Sequence, residues 1–139
     1  MNTKGFSILM KHVTAGIIIK NNKILIAQRK HGKSCEYMWE FPGGKQEENE
    51  TLQECLKREL YEELNINVSV GNFFATSCYD YDFGTIILHA FWVNTDDNCF
   101  SFHPDHEQIK WIELSDIDNY TFAPADLPIV EKLKKDIAS

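Results

Sequence analysis

The sequence lacks the features that mark membrane, secreted and multidomain proteins. No apolar run approaches the ~20 residues that a membrane-spanning helix needs, and no internal repeat or Pro/Gly/Ser-rich linker interrupts the 139 residues. The N-terminal segment carries a short apolar patch at 6–10 between two lysines, which is not the pattern of a secretory signal peptide. These absences predict a single domain over residues 1–139, located in the cytoplasm and without a membrane partner.

Basic residues are also scarce. The chain has 14 lysines and arginines against 21 aspartates and glutamates, which gives a formal net charge of −7. Proteins that bind DNA or RNA polymers usually present a large basic surface, so the charge argues against a nucleic acid polymer as partner. An acidic protein can still bind a polyphosphate when a divalent cation bridges the like charges.

Paired cysteines are missing as well. The four cysteines form no CxxC motif, which predicts free thiols in a reducing compartment. Cys99 lies near His103 and His106 in the sequence, but three ligands without a fourth make a weak zinc motif. Hydrophobic residues make up 43% of the chain and charged residues 25%, so the composition predicts an ordinary globular protein.

The apolar patterns predict an alternation of strands and helices. Strands are expected near 13–19, 24–29, 66–78, 85–94 and 107–113. Residues 20–23 are typical of a hairpin turn, and the polar cluster at 96–98 indicates another turn. The amphipathic tail at 127–138 predicts a last helix with Asp126 as its N-cap. This order favours a mixed sheet with helices packed on it.

The clearest helix signal lies in the middle of the chain. Thr51 and Glu54 have the spacing of a capping box, in which each side chain bonds the other residue's main chain. The leucines that follow step by four and form one apolar stripe: Leu52, Leu56, Leu60 and Leu64. Asn65 stands where a left-handed C-terminal cap belongs. We therefore predict a helix between these two caps.

Three glutamates of this helix share one face. Glu59, Glu62 and Glu63 stand at i, i+3 and i+4. A solvated acidic face is the common explanation of such a run. However, like charges at this spacing repel, and the helix dipole disfavours anions toward the C-terminal half. Clustered carboxylates are the ligands that hard cations such as Mg²⁺ and Mn²⁺ require, so the pattern favours a metal site.

These glutamates belong to a longer spaced motif. Residues 44–66 read Gly-x5-Glu-x7-Arg-Glu-Leu-x-Glu-Glu-x-Asn-Ile. This pattern resembles the Nudix box, in which a second glycine stands where this chain has Asn65. Asparagine tolerates the left-handed conformation better than most residues, so we expect the turn to survive. The resemblance implies the Nudix fold, an α/β/α sandwich around a mixed β-sheet.

Further segments resemble the MutT-like branch of this family. They are Trp-Glu-Phe-Pro-Gly-Gly-Lys at 39–45 and Phe-Ala-Pro-Ala-Asp-Leu-Pro at 122–128. Bacterial CTP pyrophosphohydrolases share the Ala-Pro-Ala-Asp-apolar-Pro part of the second segment. The resemblance implies a hydrolase that converts a nucleoside triphosphate to a monophosphate and pyrophosphate, with Mg²⁺ as cofactor and Mn²⁺ as a substitute. It leaves open whether the protein is a monomer or a homodimer.

The resemblance also implies roles for particular residues. The metal ligands would be Glu59, Glu62 and Glu63, with Glu50 assisting and with a main-chain carbonyl from Gly43 or Gly44. Arg58 would orient a glutamate by a charge-assisted bond. The base that takes the proton of the attacking water would be a box glutamate or a loop carboxylate. Asp105, six residues before Trp111, fits the position of that loop carboxylate, and Glu107 is the alternative. For each of them the other interpretation is a solvated loop acid without a catalytic role.

Other residues are implied in substrate binding. Arg29 and Lys45 would contact phosphate, and Glu40 would face the substrate cleft. The alternative for Arg29 and Lys45 is that each is a surface cation without a role in binding. Asp126 can accept a hydrogen bond from an exocyclic amine such as cytosine N4, whereas relatives tuned to oxidised guanine have an amide there. Three residues would line the base pocket or lie in the core: Phe74, Tyr79 and His89. CTP or dCTP is thus favoured, with 8-oxo-dGTP hydrolysis or a non-catalytic nucleotide-binding module as alternatives.

Overall fold

A computed structural model describes residues 10–97 and 105–138. In this part of the chain there are six strands and two α-helices. The strands are β1 (Met10–Lys20), β2 (Lys23–Arg29), β3 (Trp39–Glu40), β4 (Ser69–Tyr81), β5 (Gly84–Asn94) and β6 (His106–Glu113). The helices are α1 (Leu52–Leu64) and α2 (Leu127–Ala138), and two 3-10 helices precede α2, at Leu114–Asn119 and Pro124–Asp126. No helix in these ranges has the length and apolar character needed to cross a membrane.

The strands form one mixed sheet. The order of five strands is β3-β2-β1-β5-β4. Strand β2 pairs with β1 at residues 23–24 and with β3 at residues 27–28, and β6 pairs with β2 along residues 23–29. β1 and β5 run parallel from the pair Met10 and Thr85 onward, whereas the other pairings are antiparallel. The predicted hairpin is present, since Lys20 pairs with Lys23 across the turn. The strand expected near 66–78 begins only at Ser69; Ile66 and Val68 precede it and are buried in the core that contains the leucines of α1.

Each face of the sheet packs against one helix. On one face, Ile18 and Leu25 pack against the leucine stripe of α1, which is fully buried except for the partly buried Leu52 at its start. On the other face, Ile17 and Ile26 pack against α2 through Ile129 and its neighbours. Because neighbouring residues of a strand point to opposite faces, the continuous apolar runs of β1 and β2 supply both cores. The α/β/α sandwich expected from the sequence is confirmed.

Helix α1 has both predicted caps. The Thr51 hydroxyl accepts from the Glu54 N–H at 3.0 Å, and the Glu54 carboxylate accepts from the Thr51 N–H at 2.8 Å. Asn65 adopts the left-handed conformation with φ 56° and ψ 38°, and its N–H donates to the Tyr61 carbonyl. The substitution of the usual box glycine by asparagine therefore preserves the turn that ends the helix.

The cap predicted for the last helix is wrong. Asp126 ends the 3-10 helix that leads into α2, and its carboxyl accepts from the Phe41 N–H at 3.0 Å instead of capping α2. This side chain is buried and joins the segment before α2 to the end of β3. Of the turn predicted at 96–98, residues 96 and 97 lie outside any strand, and residue 98 lies outside the described part of the chain.

Candidate active site

A cleft of about 440 Å³ opens beside the N-terminal half of β1. The residues that bear on its chemistry are Arg29, Glu40, Gly43, Gly44, Lys45, Glu59, Glu63, Asp105, His106 and Asp126. These residues come from five separate stretches of the chain, and Lys11 and Lys33 also line the cleft. Arg58 lies beside the cleft and contacts Glu59, which lines it. The same arginine also contacts Glu50 and Glu62.

Main-chain hydrogen bonds hold the double-glycine turn against β1. The Gly16 N–H donates to the Pro42 carbonyl at 2.7 Å, and the Thr14 N–H donates to the Gly44 carbonyl at 2.8 Å. The Thr14 hydroxyl bonds the same carbonyl at 3.1 Å. Because the Gly44 carbonyl already has these two donors, the Gly43 carbonyl is the better main-chain ligand for a metal ion, and the inclusion of Gly44 among the carbonyl ligands is not favoured.

The missing side chain of Gly44 makes room for Glu59. A Cβ at position 44 would lie 2.2 Å from the Glu59 carboxylate. The turn and helix α1 therefore meet at a point where the glutamate lies directly against the main chain. This contact brings Glu59 into the cleft, although the residues are distant in sequence.

Arg58 binds three of the four box glutamates. Its guanidinium lies 2.7 Å from Glu50, 3.0 Å from Glu59 and 2.9 Å from Glu62. The hydrogen bonds from Arg58, followed by one from the Glu47 N–H, lower the pKa of Glu50 to about 2. The role expected for Arg58, orientation of glutamates, is consistent with these contacts.

Glu63 is in a different environment from the other three. Its side chain is 15% exposed, and its Oε1 atom is buried without a hydrogen-bond partner. Burial, followed by the charges of Glu59 and Glu40, raises the pKa of Glu63 to about 9. Burial also raises the pKa of Glu59. Glu59 keeps the Arg58 guanidinium as its partner, whereas Glu63 has no contact with that arginine in the described part of the chain.

These residues fit a hard divalent cation. An unpartnered carboxylate oxygen beside a second, partly buried carboxylate and a glycine main chain is the oxygen-rich donor set that Mg²⁺ and Mn²⁺ prefer. In residues 10–97 and 105–138, however, no three His, Cys, Asp or Glu side chains converge into a finished metal group. Three of the box carboxylates are held by Arg58 in this structure.

The structure separates the two candidate loop bases. Asp105 lines the cleft and lies 3.8 Å from Lys33, and its charge contributes to the raised pKa of Glu63. Glu107 does not line the cleft. The geometry thus favours Asp105 over Glu107.

Three of the predicted substrate-binding residues form one group. Arg29 Nη1 donates to Glu40 at 3.0 Å, and Asp126 is close enough for Glu40 to influence it electrostatically. Burial, followed by the charge of Glu40, raises the pKa of Asp126 well above its usual range. Lys45 also lines the cleft, at its exposed edge.

The aromatic residues suggested for the base pocket are placed differently. Phe74 is buried against Trp92, His89 pairs with His12 at 3.0 Å, and Tyr79 is 42% exposed and contacts Tyr81. None of Phe74, Tyr79 and His89 lines the cleft.

Several cleft residues were not predicted. Tyr81 lines the cleft in place of Tyr79, and the alternation of aromatics at 79, 81 and 83 was a signal for it. Cys35 lines it through a loop in which the cysteine has a positive φ of 55°. His106 lines it too, beside Glu40 and Glu63. Of the weak zinc motif, Cys99 and His103 lie outside the described residues.

Comparison with known proteins finds matches over most of the chain. The model of the NUDIX domain matches residues 10–133. The chain is 37% identical over 122 residues to a CTP pyrophosphohydrolase of Escherichia coli, covering 88% of this chain and 90% of the relative. It is 36% identical over 124 residues to an 8-oxo-dGTP diphosphatase of Buchnera aphidicola, covering 89% and 93%.

A solved structure gives the same result for the fold. The MutT protein of methicillin-resistant Staphylococcus aureus, described as a Nudix hydrolase, superposes with a TM-score of 0.75 at 37% identity. The match covers 92% of this chain and 98% of that one. The family model, the two relatives and this structure together show that the chain belongs to the NUDIX family of hydrolases acting on acid anhydrides.

Proposed function

We propose that this protein hydrolyses a nucleoside triphosphate, preferably CTP or dCTP, to the monophosphate and pyrophosphate. The observation that carries the proposal is the buried, unpartnered oxygen of Glu63 beside Glu59 and the glycine turn, in a cleft that also contains Arg29 and Lys45. Carboxylates able to hold a divalent cation and two cations able to contact phosphate in one cleft suit a polyphosphate substrate. We place this activity in the cytoplasm and assign it to one NUDIX domain.

The metal ion would be Mg²⁺, with Mn²⁺ as a substitute. When bound, it neutralises charge on the phosphate oxygens and lowers the pKa of an attacking water. Glu59 and Glu63, assisted by Glu62 and Glu50, would hold it together with the Gly43 carbonyl. Arg58 keeps the outer carboxylates in place by the contacts described above, and partners of this kind orient metal ligands.

A carboxylate at the cleft would take the proton of the attacking water. Asp105 is our preferred base, because it lines the cleft and is 58% exposed in its side chain, so that water reaches it. A base must lie within hydrogen-bond reach of the proton, directly or through one water. Arg29 and Lys45 would hold phosphate oxygens while this transfer takes place.

Asp126 is our candidate for recognition of the base. It is buried in the cleft, and one carboxyl oxygen is oriented by the Phe41 N–H. The carboxyl can accept from the cytosine N4 amine in either protonation state. The E. coli relative at 37% identity is named for CTP, which supports the same preference.

A second candidate is the hydrolysis of 8-oxo-dGTP. It is favoured by the relative of Buchnera at 36% identity, which is named for that substrate. A module that binds nucleotides without catalysis is the less favoured alternative, because all four glutamates of the box are present here.

The test is pyrophosphate release from each common nucleoside triphosphate and from 8-oxo-dGTP, with Mg²⁺ and with Mn²⁺. We expect the highest kcat/KM with CTP or dCTP, and loss of two or more orders of magnitude in Glu62→Gln without loss of folding. Asp126→Asn should lower the ratio of kcat/KM for CTP over 8-oxo-dGTP by roughly 10-fold, the scale of one base contact. A higher kcat/KM for 8-oxo-dGTP in the wild type would favour the second candidate, and no pyrophosphate from any substrate would refute both.

A further inference from the structure

Strand β6 begins with a histidine that is buried inside the cleft. The side chain of His106 is 5% exposed. Its Nε2 atom lies 3.6 Å from Glu40 Oε2 and 3.8 Å from Glu63 Oε2. The imidazole therefore stands between a carboxylate on β3 and a carboxylate on α1, and three elements of the fold meet at this ring.

Glu63 differs from the other box glutamates in its partner. Arg58 contacts Glu50, Glu59 and Glu62, whereas the nitrogen that faces Glu63 belongs to His106. Each glutamate of the box thus has a nitrogen atom of this chain within 4 Å. For three of them it belongs to the guanidinium of Arg58, and for Glu63 it is Nε2 of His106.

The position of the His106 ring lowers the stability of the folded protein. His106 Nδ1 and Glu63 Oε1 are both buried without a hydrogen-bond partner, and a buried unsatisfied polar group costs about 1–3 kcal/mol. The main chain of His106 is paired with Arg29 of β2 at the start of the strand, and the ring is almost fully enclosed by its surroundings. Costs of this kind are expected at functional sites, where a further ligand satisfies the free atoms.

We propose that His106 is a positioning residue for the metal site. Its Nε2 atom fixes the orientation of the Glu63 carboxylate and links it to Glu40, which belongs to the substrate-binding group with Arg29. The inference rests on the proposed function for its kinetic readout and on Glu63 as a metal ligand. Partners that orient a metal ligand typically contribute 10–100-fold to metal affinity or activity.

The test compares two amides at this position. The amide nitrogen of His106→Gln can occupy the place of Nε2, while that of His106→Asn is one bond too short to reach Glu63. The control is His31→Gln, which removes an exposed histidine that pairs with Glu36 at 3.2 Å outside the cleft. Binding of Mn²⁺ to the free protein is measured by electron paramagnetic resonance, and kcat and KM by pyrophosphate release.

We expect His106→Asn to bind Mn²⁺ roughly 10-fold more weakly and to lose roughly 10-fold or more in kcat, with KM little changed. His106→Gln should recover most of both losses, and His31→Gln should behave as the wild type. If His106→Asn does not fold, His106→Leu, which is of similar volume and has no polar atom, takes its place in the comparison.

Two results would overturn the proposal. One is wild-type Mn²⁺ affinity and kcat in the asparagine or leucine variant. The other is an equal loss in the glutamine and asparagine variants together with an equal fall in Tm, which would show that the ring serves packing. A wild type that binds Mn²⁺ but releases no pyrophosphate would refute the proposed function alone, while one that binds no Mn²⁺ would refute both.

Discussion

Arg58 and Glu50 form a doubly bonded ion pair. Nη2 of Arg58 lies 2.7 Å from Oε1 of Glu50, and Nε lies 3.0 Å from Oε2. A planar guanidinium can make these two parallel bonds, whereas the ammonium of lysine makes contact as a point charge. The pair ties the loop before α1 to the middle of that helix.

We predict that Arg58→Lys lowers both kcat and Mn²⁺ affinity by roughly 10-fold, because the carboxylates of the box lose their common partner. Lys57→Gln, at the exposed neighbouring position of α1, serves as the control for a change of charge on the helix. Steady-state kinetics and Mn²⁺ titration of both variants provide the measurement. Wild-type values in Arg58→Lys would show that the paired bonds are not needed.

The two glycines of the turn should respond differently to alanine. A Cβ at Gly43 would lie 2.0 Å from the Thr14 carbonyl oxygen, which is main chain, whereas one at Gly44 would meet the end of the Glu59 side chain. Gly43→Ala should therefore lower the free energy of unfolding by roughly 1–3 kcal/mol, the range for overpacked sites. Gly44→Ala should move Glu59 and weaken Mn²⁺ binding with a smaller loss of stability. Urea denaturation and Mn²⁺ titration of both variants test this contrast, and an equal effect of both substitutions on both measurements would contradict it.

Asn65 should tolerate glycine but not alanine. Its left-handed conformation ends α1, and this conformation costs most L-residues about 1–2 kcal/mol. We expect Asn65→Ala to lower the free energy of unfolding by roughly 1 kcal/mol, and Asn65→Gly to leave it within about 0.5 kcal/mol of the wild type. Urea denaturation measures both, and equal stabilities of the two variants would refute the assignment of this residue as the cap.

Asp126 should make stability fall as pH rises. Its pKa in the folded protein is raised by burial, then by Glu40, while in the unfolded chain it is about 3.9. As pH rises through about 4, the carboxyl ionises in the unfolded chain but stays protonated in the folded one, so the unfolded state gains stability until pH passes the folded pKa. In Asp126→Asn this site no longer titrates, and the amide oxygen can still accept from Phe41.

The difference in Tm between Asp126→Asn and the wild type should therefore grow in favour of the variant from pH 4 to pH 8. Asp116→Asn, which changes an exposed carboxylate, controls for the loss of one negative charge. Thermal melts at intervals of pH give the comparison. A Tm difference that stays constant over this range would show that Asp126 ionises normally in the folded protein.

Local features of the fold were predictable from the sequence. The capping box, the leucine stripe and the left-handed Asn65 depend on neighbouring residues, and the structure has all three. The Nudix box likewise indicated which acids of α1 to examine. The cap at Asp126 was predicted wrongly because a short acid before a helix usually caps it, whereas here a contact with the distant Phe41 takes its carboxyl.

Contacts between distant elements were not predictable. Nothing in the sequence places His106 between Glu40 and Glu63, because these residues belong to three different elements. Tyr79 and Tyr81 are two residues apart and point to the same face of β4, so the alternation of aromatics does not specify which of them lies at the level of the cleft. The engagement of Arg58 by three glutamates also requires the loop before α1 to fold back, which the motif spacing alone does not specify.

The parallel pairing of β1 with β5 has a consequence for the order of biosynthesis. Met10 can pair with Thr85 only after Thr85 has been synthesised. Asp105 and Asp126 are synthesised later still. Non-local pairings of this kind slow folding. A nascent chain that displays the complete box thus has neither the central strand pair nor the far wall of the cleft, so hydrolytic capacity arises only when nearly the whole polypeptide has left the ribosome.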